Sequence, residues 1–335
     1  MPRDDPGAGA EMFFILGRGR SGTTLLSRLL DAHPAIAVAP ESLFVMNLYR
    51  RYRRGGWTER RIRAFSRDMW LEERMRRWRL DRAKVEERLL ALVGEADFSR
   101  LCTEVYAAGA EARGKRGAVL LGDKNPGYSL FGKELAALFR RSRFIHLVRD
   151  YRDNVLSFQS VQFDLSSVSA LAYRWLYFNR CIAQAARRFP RRFFTLRFED
   201  LINEPRVWLE RLCQFLGIPF SSQMLDSSQG REVEARLPWH PHLGSPLDPA
   251  QAGKWRTAMS VKDGRRADWV CQPFAAGFGY EPSESDGELG PIAASLGMVW
   301  GRLVSVAERL LFRLPVRLRT RIIHGYRIAT GNKIS

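Results

Sequence analysis

The chain has 335 residues, 45% hydrophobic and 27% charged, the make-up of a soluble globular protein with length for one large domain or two. Its formal net charge of +18 is uneven: residues 50–88 hold 15 basic and 7 acidic side chains, residues 289–335 hold 8 and 1, and the rest carries only +3. Cys102, Cys181, Cys213 and Cys271 are widely spaced with no C-x-x-C pair, which argues against a disulfide framework or a zinc site.

Residues 1–11 read as a disordered leader, and the acidic, glycine-rich MPRDDPGAGAE lacks the basic n-region of a secretory signal. Phe13 to Leu16 is a short apolar run, the signature of a buried parallel strand; Gly17, Gly19 and Gly22 punctuate a loop, and Thr23 to Leu30 is apolar at helical spacing. Strand, glycine loop and helix in this order make an anion cradle. The first N–H groups of such a helix have no intrahelical partner, and the dipole adds partial positive charge there. The spacing Gly17-x4-Gly22 is that of a nucleotide-binding P-loop, but Thr23 and Thr24 stand where that motif has Lys and Ser/Thr. The cation comes earlier, as Arg20 before Ser21. This suits a ligand with one phosphate and one transferable anion better than a triphosphate.

Four more strands follow: Ala35 to Ala39 ending at Pro40 and Glu41, Ala118 to Leu121 ending at Gly122, Asp123 and Lys124, Phe144 to Val148 ending at Arg149, and Phe193 to Leu196 ending at Arg197. Residues 43–113 read as an Arg-rich helical insertion with Trp57, Trp70, Trp78, Leu89, Leu90 and Leu92 inward. Helices are predicted after Pro126, from Tyr151 to Val161, from Val168 to Phe189, and from Pro205 to about Gly217. Strands alternating with helices imply an α/β fold, a mainly parallel sheet covered on both faces. Ligands of such sheets bind beyond the carboxyl ends of the strands, where the glycine loop, Glu41, Lys124, Arg149 and Arg197 all fall. Residues 12–281 read as one domain, 221–249 as a loop over its ligand-binding edge, and 282–290 as a linker.

Residues 291–335 read as a basic amphipathic helical tail. Arg302, Ser305, Arg309 and Arg313 share one helical face, and Leu296, Val299, Trp300, Leu303, Val306, Leu310 and Leu314 cover most of the rest. Such a helix either docks on the domain or lies on anionic lipid, with Arg317, Arg319, Arg321 and Arg327 adding charge. Its longest charge-free stretch, residues 289–301, is shorter than the roughly 20 residues a spanning helix needs.

RSGTTLLSRLLDAHP with PES, then GDKNP, FIHLVRDYRDNVLS, LRFEDLINEP with FLGIPF, and GKWR stand in this order over residues 12–281. Together they resemble the P-loop sulfotransferases that use 3′-phosphoadenosine 5′-phosphosulfate (PAPS), closest to the branch of tyrosylprotein sulfotransferases and bacterial relatives. The resemblance implies that Arg20, Ser21, Gly22, Thr23 and Thr24 wrap the 5′-phosphosulfate, that Arg149 and Ser157 hold the 3′-phosphate, and that Lys254, beside Trp255, adds a nucleotide contact. It implies Glu41 as catalytic base, Lys124 and Arg20 as cations that stabilise transfer, no metal, and no covalent enzyme intermediate. Phe198 stands where close relatives often carry a tyrosine on the nucleotide, and Ser245 matches the branch's assisting serine only across a gap.

The implied acceptor is a hydroxyl of a tyrosine peptide, carbohydrate, glycolipid or small alcohol; no nucleic acid is expected. His146, inside an apolar strand, and His33 read as structural, and His240 and His242 as loop residues. Rival readings are a P-loop kinase or NTPase, with Asp123 as metal-holding acid, and a non-enzymatic basic module for nucleic acid or membrane. With no signal segment read, the expected location is cytoplasmic, extending to the inner membrane face, in contrast to luminal enzymes of the tyrosylprotein kind.

Overall fold

Strand β1 (Glu11–Leu16) sends Phe13 and Ile15 to one face of a sheet and Phe14 and Leu16 to the other, and all four are fully buried. Burial on both faces is why the run is continuously apolar rather than alternating. The computed structural model describes residues 10–161, 166–226, 247–283, 291–312, 314, 318–319 and 321–322. Within these, β1 joins β2 (Ile36–Ala39), β3 (Leu120–Lys124), β4 (Arg143–Val148) and β5 (Phe193–Arg197) in one parallel sheet of order β2-β3-β1-β4-β5. The chain leaves β1 toward one edge and later returns to the other side of it. The end of β1 is therefore the topological switch point at which ligands of such sheets bind.

On one face α1 (Thr23–Asp31), α9 (Phe198–Asn203) and α10 (Pro205–Leu216) cover Phe13, Ile15, Val38 and Ile145. The other carries α2 (Phe44–Tyr52), α3 (Glu59–Met69), α4 (Arg82–Leu90), α5 (Phe98–Ala112) and α6 (Gly132–Leu138). Trp57 and Trp78 are buried there as the sequence predicts, with Trp70 half-buried; Thr58, Asp81 and Asp97 cap α3, α4 and α5. A 3₁₀ turn, Glu73–Trp78, links α3 to α4, and a second, Pro126–Phe131, follows β3. A third cluster lies under α7 (Tyr151–Gln159), α8 (Val168–Arg188) and α12 (Val261–Ala275), with the short α11 (Trp255–Ala258) beside α7. Helices α9 and α12 were not expected from sequence, and the third strand starts at Leu120 rather than Ala118, so that Lys124 is its last residue.

Helix α13 (Pro291–Leu311) reverses the orientation that its amphipathicity suggests. It docks on α8 through small residues: Ser305 is fully buried, and a Cβ added at Gly301 would stand 2.7 Å from the Ala170 carbonyl oxygen. Arg174 of α8 pairs with Glu308 at 2.8 Å, and Arg309 with Glu134 at 3.3 Å. Leu296, Val299, Trp300, Leu303, Val306 and Leu310 all face solvent, from 39% to 68% exposed. Close backbone approach, open only to glycine, decides this face over the larger hydrophobic gain of burying leucines. Arg319, expected as surface charge, is buried, while Arg313, Arg317 and Arg327 lie outside the described residues.

Candidate active site

The loop after β1 is held from three sides. Ser129 Oγ accepts the Gly17 N–H at 2.9 Å and donates to the Gly17 carbonyl at 3.0 Å. Asn154 of α7 donates to the Gly19 carbonyl at 2.9 Å and to Ser21 Oγ at 3.2 Å. Gly22 has φ +90°, and any Cβ there would run into the Phe198 ring. Helix α1 starts from Gly22 with no side-chain cap and no acidic residue in its first turn, so its positive end faces the loop uncompensated by carboxylate. Arg20 is left-handed at φ 66°, a conformation that costs a non-glycine residue about 1 kcal/mol and is held by the surrounding bonds.

Two cations converge on this loop. Arg20 Nε donates to Ser157 Oγ at 3.0 Å; Arg149 donates to the Arg20 carbonyl at 3.2 Å and to the Gln251 carbonyl at 2.6 Å, and its guanidinium lies 4.6 Å over the Phe198 ring. Burial lowers the pKa of both arginines, and Arg149 lowers that of Arg20 further by repulsion, while Asp153, Glu199 and Asp150 offset the shift at Arg149. Mutual repulsion of half-buried cations is relieved by an anion between them. Phe198 supplies no hydroxyl; it wedges between Gly22 and Arg149.

Asp153, almost fully buried, accepts the Gly253 N–H at 2.7 Å and the Trp255 N–H at 2.8 Å, which fixes the segment carrying Lys254 and Trp255 beside Arg149. Burial raises its pKa against the opposing pull of Arg149 and the two N–H donors. Lys254 is exposed and bonds Gln251 Oε1 at 2.8 Å; the Trp255 ring lies 3.6 Å from the Arg152 guanidinium. Arg20 to Thr24, Arg149, Ser157, Gln251 and Lys254 thus form one connected constellation.

A second constellation adjoins it at the start of α1. The Lys124 ammonium, 2% exposed, donates to Thr24 Oγ1 at 3.1 Å and pairs with Glu41 Oε1. Glu41 Oε2 also faces Arg74 at 3.5 Å. Sequence reasoning missed Arg74, Ser129, Asp153 and Asn154: nothing in the pattern marks the first two, whereas Arg152, Asp153 and Asn154 put consecutive polar side chains at the buried start of a helix, a signal for the last two. Glu41 and Lys124 form a carboxylate and a cation at hydrogen-bond reach of each other, beside a helix start able to hold an anion. Such a set can take a proton from a nucleophile and neutralise charge on a leaving group.

The histidines described here lie elsewhere. His146 bonds Asn179 Oδ1 at 2.8 Å, and burial lowers its pKa to about 4; His33 bridges the Pro219 carbonyl and the Ala35 N–H. Asp123 accepts the Tyr106 hydroxyl inside the core, and the described residues hold no cluster of metal-ligating side chains. Ser245, His240 and His242 lie outside the described residues.

A family model described as the sulfotransferase family matches residues 13–222. Protein-tyrosine sulfotransferase 1 of Danio rerio is 26% identical over 287 residues, 81% of this chain and 72% of that protein. The protein-tyrosine sulfotransferase of Drosophila melanogaster is 26% identical over 64% of this chain, which spans only 39% of that protein's length. The sulfotransferase domain from the Synechococcus PCC 7002 olefin synthase superposes with a TM-score of 0.56 at 24% identity, over 84% of this chain and all of that domain, a likeness of fold. These relatives overturn the expected cytoplasmic location, which set the chain apart from the tyrosylprotein enzymes that it now proves to match. The charge pattern of the first residues does not outweigh that relationship. Among the described residues no helix is long and apolar enough to cross a membrane.

Proposed function

The chain belongs to the sulfotransferase family, and we propose that it moves a sulfuryl group from PAPS to an acceptor hydroxyl by in-line displacement. The observation that carries the proposal is Lys124, which spans Thr24 at the head of α1 and Glu41 on the neighbouring loop, and so joins an anion cradle to a proton acceptor. The donor fits the residues present: a glycine-lined cradle that a Cβ would fill, two half-buried arginines, and a loop pinned by Asp153 whose Gln251 carbonyl takes Arg149.

In this reading the N–H groups and hydroxyls of Ser21, Thr23 and Thr24, with Arg20, hold the 5′-phosphosulfate. Arg149 and Ser157 hold the 3′-phosphate, and Lys254 and Trp255 close over the nucleotide. Glu41 accepts the hydroxyl proton as the acceptor oxygen bonds to sulfur. The bond from sulfur to the 5′-phosphate oxygen breaks, its electron pair leaves on that oxygen, and adenosine 3′,5′-bisphosphate remains. Lys124 and Arg20 offset the charge growing on the leaving oxygen and the equatorial oxygens, where fixed cations contribute most. In this reading no residue bonds to sulfur, and the charge on the transferred group is met by Lys124, Arg20 and the N–H groups at the start of α1.

A tyrosine-containing peptide is the first acceptor to test, since the matched relatives are protein-tyrosine sulfotransferases. The outward apolar stripe of α13, bordered by exposed Arg302, has the make-up of a helix that rests on anionic lipid, and flotation with anionic against neutral vesicles tests that partner. For the chemistry, transfer of sulfur label from PAPS to a panel of peptide, carbohydrate and alcohol acceptors is the assay. Glu41→Ala should lower turnover far more than donor affinity, and Arg149→Ala the reverse; equal loss of both in each variant would sink the assignment.

A further inference from the structure

The chain past α13 reaches the wall that carries Glu41. Phe312 meets the Phe131 ring at 5.0 Å and lies against Gly127. The Arg319 guanidinium lies 5.0 Å over the Phe312 ring, and its side chain is only 5% exposed. It is aimed at Glu72, with Nη2 3.9 Å from Oε2, the same oxygen that accepts from Asn47 of α2. Glu72 opens the 3₁₀ turn, its carbonyl accepting the Met75 N–H at 3.0 Å, and Met75 sulfur takes the Ser42 hydroxyl at 3.2 Å. Arg74 of that turn faces Glu41.

A carboxylate as buried as Glu72 needs a cation. Arg319 meets that need from outside the turn. Arg74, two residues along the same turn and 37% exposed, is paired with Glu41. We propose that Arg319 is a positioning residue: by holding Glu72, it leaves Arg74 on Glu41 and so fixes the geometry and proton affinity of the catalytic carboxylate from the far end of the chain. This rests on Glu41 as the base. Glu41 is faced by Lys124 from β3 and Arg74 from the turn; Glu72 by Asn47 from α2 and Arg319, with the Tyr128 hydroxyl of the second 3₁₀ turn within electrostatic range.

Arg319→Gln should free Glu72 to draw Arg74 away. Loss of a cation raises the pKa of Glu41, so the acid limb of the kcat profile moves up by about half to one pH unit, with bisphosphate affinity within twofold of wild type. Glu72→Gln/Arg319→Gln removes the competing carboxylate and should return the limb toward its wild-type position, as Arg319→Lys should in part. Arg74→Gln should reproduce the shift, and serves if Arg319→Gln does not fold. A purely structural role predicts a double variant at least as impaired as the single. An unmoved acid limb in Arg319→Gln, or no recovery in the double variant, overturns the proposal. Should Glu41→Gln keep wild-type turnover, the base assignment fails instead. Amide exchange of Met75 then decides alone: faster in Arg319→Gln and restored in the double variant supports the hold of Arg319 on the turn, and unchanged exchange overturns it.

Discussion

Asp153→Asn is the sharpest perturbation of the donor side. The carboxylate accepts two backbone N–H groups, at 2.7 and 2.8 Å, with each oxygen taking one. Asparagine keeps the shape and one acceptor oxygen but turns the other position into an NH₂ that points at an N–H. The loss is one charge-assisted hydrogen bond plus an unsatisfied donor, roughly 2–4 kcal/mol in all. The segment from Gln251 to Trp255 lies at the surface, so it can lift off rather than unfold the core. Most of the loss should then appear where that segment is used. Calorimetric titration with adenosine 3′,5′-bisphosphate should show Kd rising about 10- to 100-fold, which is about 1.4–2.7 kcal/mol, while the melting temperature falls little. Unchanged bisphosphate affinity, with the loss appearing only as a lower melting temperature, would refute the claim that this clamp serves the donor.

Two further outcomes follow from the packing around Gly22 and His146. Gly22→Ala puts a Cβ at φ +90° against the Phe198 ring; it should lower the melting temperature by several degrees, at about 2–4 °C per kcal/mol, and weaken bisphosphate binding at least tenfold, and Phe198→Ala in that background should recover part of the stability. His146 is neutral in the fold with a pKa near 4 against the ordinary 6.5, so the unfolded chain binds the extra proton between these values and stability must fall as pH drops through that window, by up to about 3 kcal/mol; denaturant titrations at pH 7 and pH 4 should show a smaller drop in His146→Gln.

The sheet was legible because its strands are buried on both faces. Runs such as Phe13 to Leu16 and Phe144 to Val148 have no polar alternation to confuse with a helix. The anion cradle was legible for a related reason: glycines at fixed spacing between such a strand and an apolar helix have few other uses. Helix α9 was not, because it begins at Phe198 directly after β5 and is six residues long. Helix α12 was hidden by Pro273 and by exposed Val261 and Trp269, which blur its apolar stripe. The face of α13 was unreadable in principle, since periodicity shows that two faces differ and not which one meets the domain. Within the candidate site, Arg149, Ser157, Glu41 and Lys124 stand out in the sequence through their motifs. Asp153, Ser129 and Arg74 act on groups 100, 112 and 33 positions away, and only the folded chain shows those pairings.

The donor site is the claim on which the account stands, and calorimetric titration of the purified chain with adenosine 3′,5′-bisphosphate, without metal, tests it most directly. Binding that is lost in Arg149→Ala is the predicted result. No binding of the bisphosphate, with clear binding of ATP plus magnesium beside it, would contradict the account and favour phosphoryl-transfer chemistry instead.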